Sequence, residues 1–300
     1  MSEKLVTVIM SIYNESVSEL NKSINSILNQ SYRNLEFIII NDNPLNKQLE
    51  NQLNELVRQD SRVKVYVNNN NIGLVESLNR ALGFSHGDYI ARMDADDISE
   101  PSRIKKQVSC IEQKNLDLIG SSLILIDEQD VQFGTLHFPT RNEQIVRFMK
   151  YGTCLPHPTW LGKKEVFDCL HGYRKALYCE DYDFLLRVLK RGYKVGNCDG
   201  YDLRYRVRKC GISQSNYVKQ YVLRKYLYKH RDIILQVDEE DILLYLNSDK
   251  FEEACLAYED FCTVKKNVKK NFLCIFQLLK NRYFWSYINE KIALQMRNRV

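Results

Sequence analysis

The chain predicts an α/β fold, an open and mostly parallel sheet with helices on both faces, and three observations carry that prediction. Short apolar runs alternate with amphipathic stretches of helical period through the first hundred residues. The apolar runs are continuous, as in parallel strands buried on both faces. Each run gives way to a polar segment rich in acids or amides. In order, residues 6–10 read as a first strand, and 16–28 as a helix with Val17, Leu20, Ile24, Ile27 and Leu28 at helical spacing. Residues 35–40 form a second strand; Leu49, Leu53, Leu56 and Val57 mark a second helix. Residues 63–67, 74–82 and 89–93 continue as strand, helix and strand, a βαβαβαβ series.

Length and composition bound the rest. Three hundred residues, 44% hydrophobic and 27% charged with 12 glycines and 5 prolines, suit one α/β domain with an appendage and exclude collagen-like or low-complexity chains. The division expected is a catalytic domain over 1–215 and a helical, basic extension over 216–300. No signal-peptide core is expected at the amino terminus, and no apolar stretch is long enough to span a bilayer. Nine cysteines, an odd number with no CxxC pair, read as free cytosolic thiols. Cys154 and His157 lie three apart, but no second pair at zinc spacing follows. The net charge of +5 is unevenly placed: residues 261–300 carry nine basic residues against Glu290, +8, leaving −3 for the rest. That tail also holds Phe272, Phe276, Phe284, Trp285 and Tyr287, a composition that suits an anionic membrane surface, with packing on the protein's own body as the competing reading. No nucleic-acid motif accompanies it.

Ligands of open α/β sheets sit beyond the carboxyl ends of the strands. There the chain places Ser11 to Glu15, Asn41 to Pro44, Asn68 to Asn71 with Gly73, and Asp94-Ala95-Asp96-Asp97. Neither GxGxxG after the first strand nor a P-loop is present, so phosphate binding would need a cation. Residues i and i+2 of a strand share a face, so Asp94 and Asp96 on the fourth strand would project together and favour a hard divalent cation. An acidic loop capping a helix that begins near Ser99 fits the same residues.

Taken together, residues 7–15 (TVIMSIYNE), 38–43 (IIINDN), 70–82 (NNIGLVESLNRAL), 89–97 (YIARMDADD) with 101–104 (PSRI), and 179–187 (CEDYDFLLR) resemble the family 2 glycosyltransferases of the GT-A fold over about residues 5–215. The resemblance implies a Mg²⁺- or Mn²⁺-dependent inverting transferase that takes a sugar from a nucleotide diphosphate, with a UDP-sugar the expected donor. The acceptor it implies is a saccharide, expected to be lipid-linked, at the inner face of the cell membrane. Tyr13 and Glu15 resemble the positions that hold base and ribose, and Asp42 the carboxylate that reads the base edge. Asp94 would lie near ribose and diphosphate, and Asp96 would ligate the metal. Asp181 resembles the catalytic base and Glu180 a contact for acceptor hydroxyls. Arg80 is a candidate for reaching the diphosphate. Trp160 and His157 fall where the family shapes its sugar pocket, to stack on a sugar face and bond a hydroxyl, although both also suit a core. Relatives carry two acids and Gly-Ser after the second strand, whereas this chain has Asn41-Asp42-Asn43-Pro44; relatives often have histidine where Arg208 follows Tyr205-Arg206. An arginine cannot ligate a cation but can hold diphosphate oxygens bidentately. A sugar-1-phosphate nucleotidyltransferase would need a glycine- and arginine-rich loop that Ser11 to Glu15 do not form, and a catalytically silent nucleotide-sugar binder is the alternative from another class.

Overall fold

The computed structural model describes residues 3–208 and 216–267, with 283–285 and 288. Two compact units divide the chain. Met1–Val146, Cys154–Tyr173 and Arg191–Arg208 form the first; Arg147–Thr153, Arg174–Lys190 and the described residues beyond 208 form the second.

The first unit holds the sheet. Its strands are β1 (Val6–Ile12), β2 (Leu35–Asn41), β3 (Val63–Val67), β4 (Tyr89–Arg92), β5 (Ile98–Ser99), β6 (Leu118–Ile126), β7 (Gln132–Leu136), β8 (Leu161–Lys163) and β9 (Val195–Arg206). They lie in the order β3-β2-β1-β4-β8-β6-β9-β5, with β7 paired to β6. The four strands read from the apolar runs are all parallel to one another, with Ile9 set between Ile38 of β2 and Arg92 of β4. β6 and β9 are parallel too, while β8, β5 and β7 enter antiparallel. Phe37, Ile38, Ile39 and Ile40 are all fully buried, so β2 is covered on both faces and its apolar run needs no alternation.

Helices α1 (Val17–Leu28), α2 (Lys47–Gln59), α3 (Leu74–Phe84) and α4 (Arg103–Gln113) cover it. In α1, Leu20, Ile24 and Ile27 form the buried stripe and Val17 stays exposed. Ser16 starts the helix with a capping box: its hydroxyl accepts from Glu19 N, while Glu19 reaches back to Ser16 N. Gly73, at φ 85°, begins α3 in a backbone region closed to most other residues. Farther along come α5 (Asn142–Phe148), α6 (Lys164–Cys169) and α7 (Glu180–Lys190).

The second unit is helical, with α7, α8 (Tyr217–Lys229), α9 (Glu239–Leu246) and α10 (Asp249–Asn267). Tyrosine stacks join its helices: Tyr221 lies on Tyr258 at 4.0 Å and Tyr226 on Tyr245 at 3.7 Å. No helix among the described residues is long and apolar enough to cross a membrane. The apolar and basic stretch from Phe272 to Arg282, on which the membrane-surface expectation largely rests, lies outside the described residues.

Candidate active site

The carboxyl ends of β1, β2 and β4 supply the first set of groups. Tyr13, 43% exposed, offers an open ring just past β1, and its backbone N–H donates to Glu15 Oε2 at 2.8 Å. Asn43 Nδ2 donates to Tyr13 O and to Asn14 Oδ1, tying the loop after β2 to the loop after β1. Asp42 is only 2% exposed, and its carboxylate gathers a third loop: Oδ1 accepts from Asn68 Nδ2 and Ile72 N, and Oδ2 from Gly73 N. It thereby fixes where α3 begins. Arg80 takes part in the same corner, donating to Val67 O at 2.9 Å and to Asn68 Oδ1, with its guanidinium 5.7 Å from the Phe84 ring centre. Its donors thus hold the end of β3 in place.

The acidic motif departs from its expected geometry. β4 ends at Arg92, and Asp94 to Asp97 form a tight turn closed by Asp97 N to Asp94 O, so Asp94 and Asp96 share a turn instead of one face of a strand. The turn ends there because β5 immediately pairs antiparallel with β9, Ile98 opposite Arg204. Continuing that register brings Arg206 to Asp96 and Asp97. Arg206, its side chain fully buried, donates Nε to Asp96 O and Nη1 to Asp127 O, both at 2.9 Å; Nη2 pairs with Asp130, and its backbone N–H donates to Asp97 Oδ1. Lys22 of α1 pairs with Asp130 from the other side. One buried arginine therefore joins the motif to the β6–β7 turn.

Each outer carboxylate of the motif also meets an arginine side chain: Asp94 pairs with Arg92, and Asp96 Oδ2 accepts from Arg208 Nε at 3.0 Å. Burial pushes the Asp96 carboxyl above its ordinary value, helped by the Asp94 charge and opposed by Arg208. Glu15 is raised as well, first by burial and further by Asp96 and Asp94. Asp97, wholly buried, is pushed up strongly by desolvation and its two acidic neighbours. Such a concentration of carboxylates favours protons or a cation, which is the chemistry of a hard divalent site. Among the described residues no three acid, histidine or cysteine side chains converge into a ready-made metal cage.

Two expected pocket residues are corrected. Trp160 is fully buried and its indole N–H donates to Leu155 O at 3.0 Å, so no sugar can reach its ring. His157 is also buried; Nε2 meets the Tyr173 hydroxyl at 3.0 Å and the ring packs edge-on to Trp160 and Tyr173. Burial holds its pKa well below the usual histidine value, with Arg92 adding to the effect. Both residues are core of the first unit.

In the second unit, Glu180 and Asp181 occupy the first turn of α7, partly exposed, and Asp181 Oδ1 accepts from Tyr182 N at 2.7 Å. The helix is anchored behind them. Asp183 is fully buried between Arg174 and Arg187, and the Tyr182 hydroxyl donates to Met149 O. Sequence reasoning did not single out Glu19, Arg206 or Asp130. Only the capping spacing Ser16 to Glu19 left a trace of one of them.

A parallel half-sheet, acids at its carboxyl edge and an antiparallel return through β8 and β5 make up the GT-A architecture. The sequence model of Glycosyl transferase family 2 matches residues 7–171. The O-antigen biosynthesis glycosyltransferase WbnJ of Escherichia coli is 32% identical over 75% of this chain and 90% of its own. Among solved structures, S. aureus TarS 1-349 in complex with UDP-GlcNAc superimposes with a TM-score of 0.60 at 17% identity, over 81% of this chain and 72% of that one. The mannosyltransferase PcManGT from Pyrobaculum calidifontis, in complex with GDP-Man and Mn²⁺, gives 0.60 at 14% identity, over 98% and 85%. The chain belongs to glycosyl transferase family 2.

Proposed function

We propose that this chain moves a sugar from a nucleotide diphosphate, a UDP-sugar being the first donor to test, onto a saccharide acceptor in the synthesis of a cell-surface polysaccharide, with inversion at the anomeric carbon. The observation that carries the reading is the Asp94–Asp97 turn, held at the strand ends by Arg206 with Asp96 still 27% exposed at its side chain. Relatives named for O-antigen and amylovoran biosynthesis support the acceptor class. In this reading Tyr13 stacks on the base, Glu15 takes the ribose, and Asp42 shapes the base pocket through the loop it gathers. A Mg²⁺ or Mn²⁺ ion bound by Asp96 would neutralise the departing diphosphate. Asp94 lines the ribose and diphosphate, and Arg208 lends the diphosphate a fixed positive charge.

The acceptor hydroxyl oxygen bonds the anomeric carbon as the carbon–oxygen bond to diphosphate breaks, its electron pair leaving with the diphosphate. Asp181 takes the hydroxyl proton as general base, and Glu180 holds the acceptor. A lipid-linked acceptor and docking on the inner membrane face through the basic tail belong to the same proposal. The alternative is a silent nucleotide-sugar binder. Incubating the purified chain with a panel of UDP- and GDP-sugars and Mn²⁺, and measuring release of the nucleoside diphosphate, separates the two. Metal-dependent hydrolysis of one donor that disappears in Asp96→Ala supports the transferase reading; donor binding with no turnover on any donor or saccharide acceptor overturns it.

A further inference from the structure

Arg208 is shared between two carboxylates. Its Nε donates to Asp96 Oδ2 at 3.0 Å, and its Nη2 lies 3.0 Å from Oε1 of Glu19. Glu19 uses its two oxygens for separate tasks. Oε2 serves the start of α1, accepting from the Ser16 hydroxyl at 2.6 Å and from Ser16 N at 3.3 Å. Among the described residues, Oε1 pairs with Arg208 and, at 3.6 Å, with Arg206. The Glu19 side chain is 13% exposed against 34% for that of Arg208, so the carboxylate is the fixed partner and the guanidinium the freer one. Burial alone would raise the Glu19 carboxyl, but hydrogen bonds from Ser16 and Arg208 outweigh it and leave the group below its ordinary value, charged at neutral pH.

A guanidinium cannot shed its proton, and a divalent cation cannot share Asp96 Oδ2 with it without strong repulsion. We propose that Glu19 is a positioning residue for Arg208: it retains the guanidinium when a divalent cation takes Asp96, and so keeps the arginine beside the diphosphate instead of in competition with the metal. The proposal rests on the reading of Asp96 as the metal ligand.

Glu19→Gln tests it, because the amide is uncharged and, with its oxygen kept for Ser16, turns its NH2 toward Arg208. Arg208 is then left with Asp96 as its anionic partner and resists the metal. Mn²⁺ affinity in the presence of UDP, read by electron paramagnetic resonance of free Mn²⁺, is expected to weaken about two- to fivefold, the worth of one partly exposed ion pair. The Mn²⁺ concentration for half-maximal activity rises with it while saturating turnover changes less. Two controls separate positioning from folding. Ser16→Ala removes the cap and lowers the melting temperature but leaves Mn²⁺ affinity unchanged, and in an Arg208→Ala background Glu19→Gln has little further effect. Equal weakening with and without Arg208, or as much weakening from Ser16→Ala, overturns the role of Glu19. Undiminished Mn²⁺ binding by Asp96→Asn overturns the metal reading itself, and the proposal with it.

Discussion

Replacing Arg206 by methionine keeps an unbranched apolar stem and deletes the guanidinium, which makes it the sharpest test of how the acidic turn is held. The guanidinium is fully buried and supports Asp96 O, Asp127 O and Asp130 at once, with Glu19 nearby. Asp130, 30% exposed and still paired with Lys22, is relieved by water, but the carbonyls of Asp96 and Asp127 lose their donors, at about 1–3 kcal/mol each. For a domain of this size each kcal/mol shifts the melting temperature by roughly 2–4 °C, so Arg206→Met is expected to melt on the order of 10 °C below the parent. Differential scanning calorimetry reads this directly. Mn²⁺ affinity with UDP should fall with it even at temperatures where the variant is folded, since the Asp96 carbonyl loses its anchor. Arg206→Lys, with one ammonium in place of the fork, is expected to fall between. A melting temperature within about 2 °C of the parent would refute the reasoning, for it would mean that water replaces the arginine at little cost.

Other outcomes follow from the same geometry. Asp181→Asn should keep donor binding, measured by calorimetry, and lose about 10²–10⁴ in turnover, the usual worth of a general base; near-parental turnover removes Asp181 from that role. Glu36, buried under Lys64, His86 and Thr7, has its carboxyl lowered from 4.5 to about 2: burial opposes this most strongly, but the hydrogen bonds from those partners prevail. A depressed folded-state value gives stability that is present above the unfolded value near 4.5 and is lost as the pH falls toward 2, so acid melting over that window should flatten in Glu36→Gln. Co-sedimentation of the full chain with anionic vesicles should fade as salt rises, and equal binding to neutral and anionic vesicles at every salt concentration would remove the electrostatic docking.

The first half of the sheet was legible because it depends on local rules. β2 is buried on both faces, so Phe37 to Ile40 had to be an unbroken apolar run, and α1 needed only Leu20, Ile24 and Ile27 on one stripe. With the strands placed, the polar strand ends and the Asp-Ala-Asp-Asp motif followed, and with them the family. The tertiary structure decided which of those residues are free to act. Trp160 and His157 have the chemistry of a sugar pocket, yet the antiparallel return through β8 carries them inside, where Leu155 O and Tyr173 satisfy them. Asp42 is at the expected edge, but its oxygens hold Asn68, Ile72 and Gly73. Arg206 becomes the buried support of Asp96 through the pairing of β5 with β9, more than a hundred residues apart in sequence. Periodicity reports which face of an element is apolar, whereas partners brought together by a nonlocal register leave no local pattern, and for this chain that is the boundary between what its sequence determined and what its fold decided.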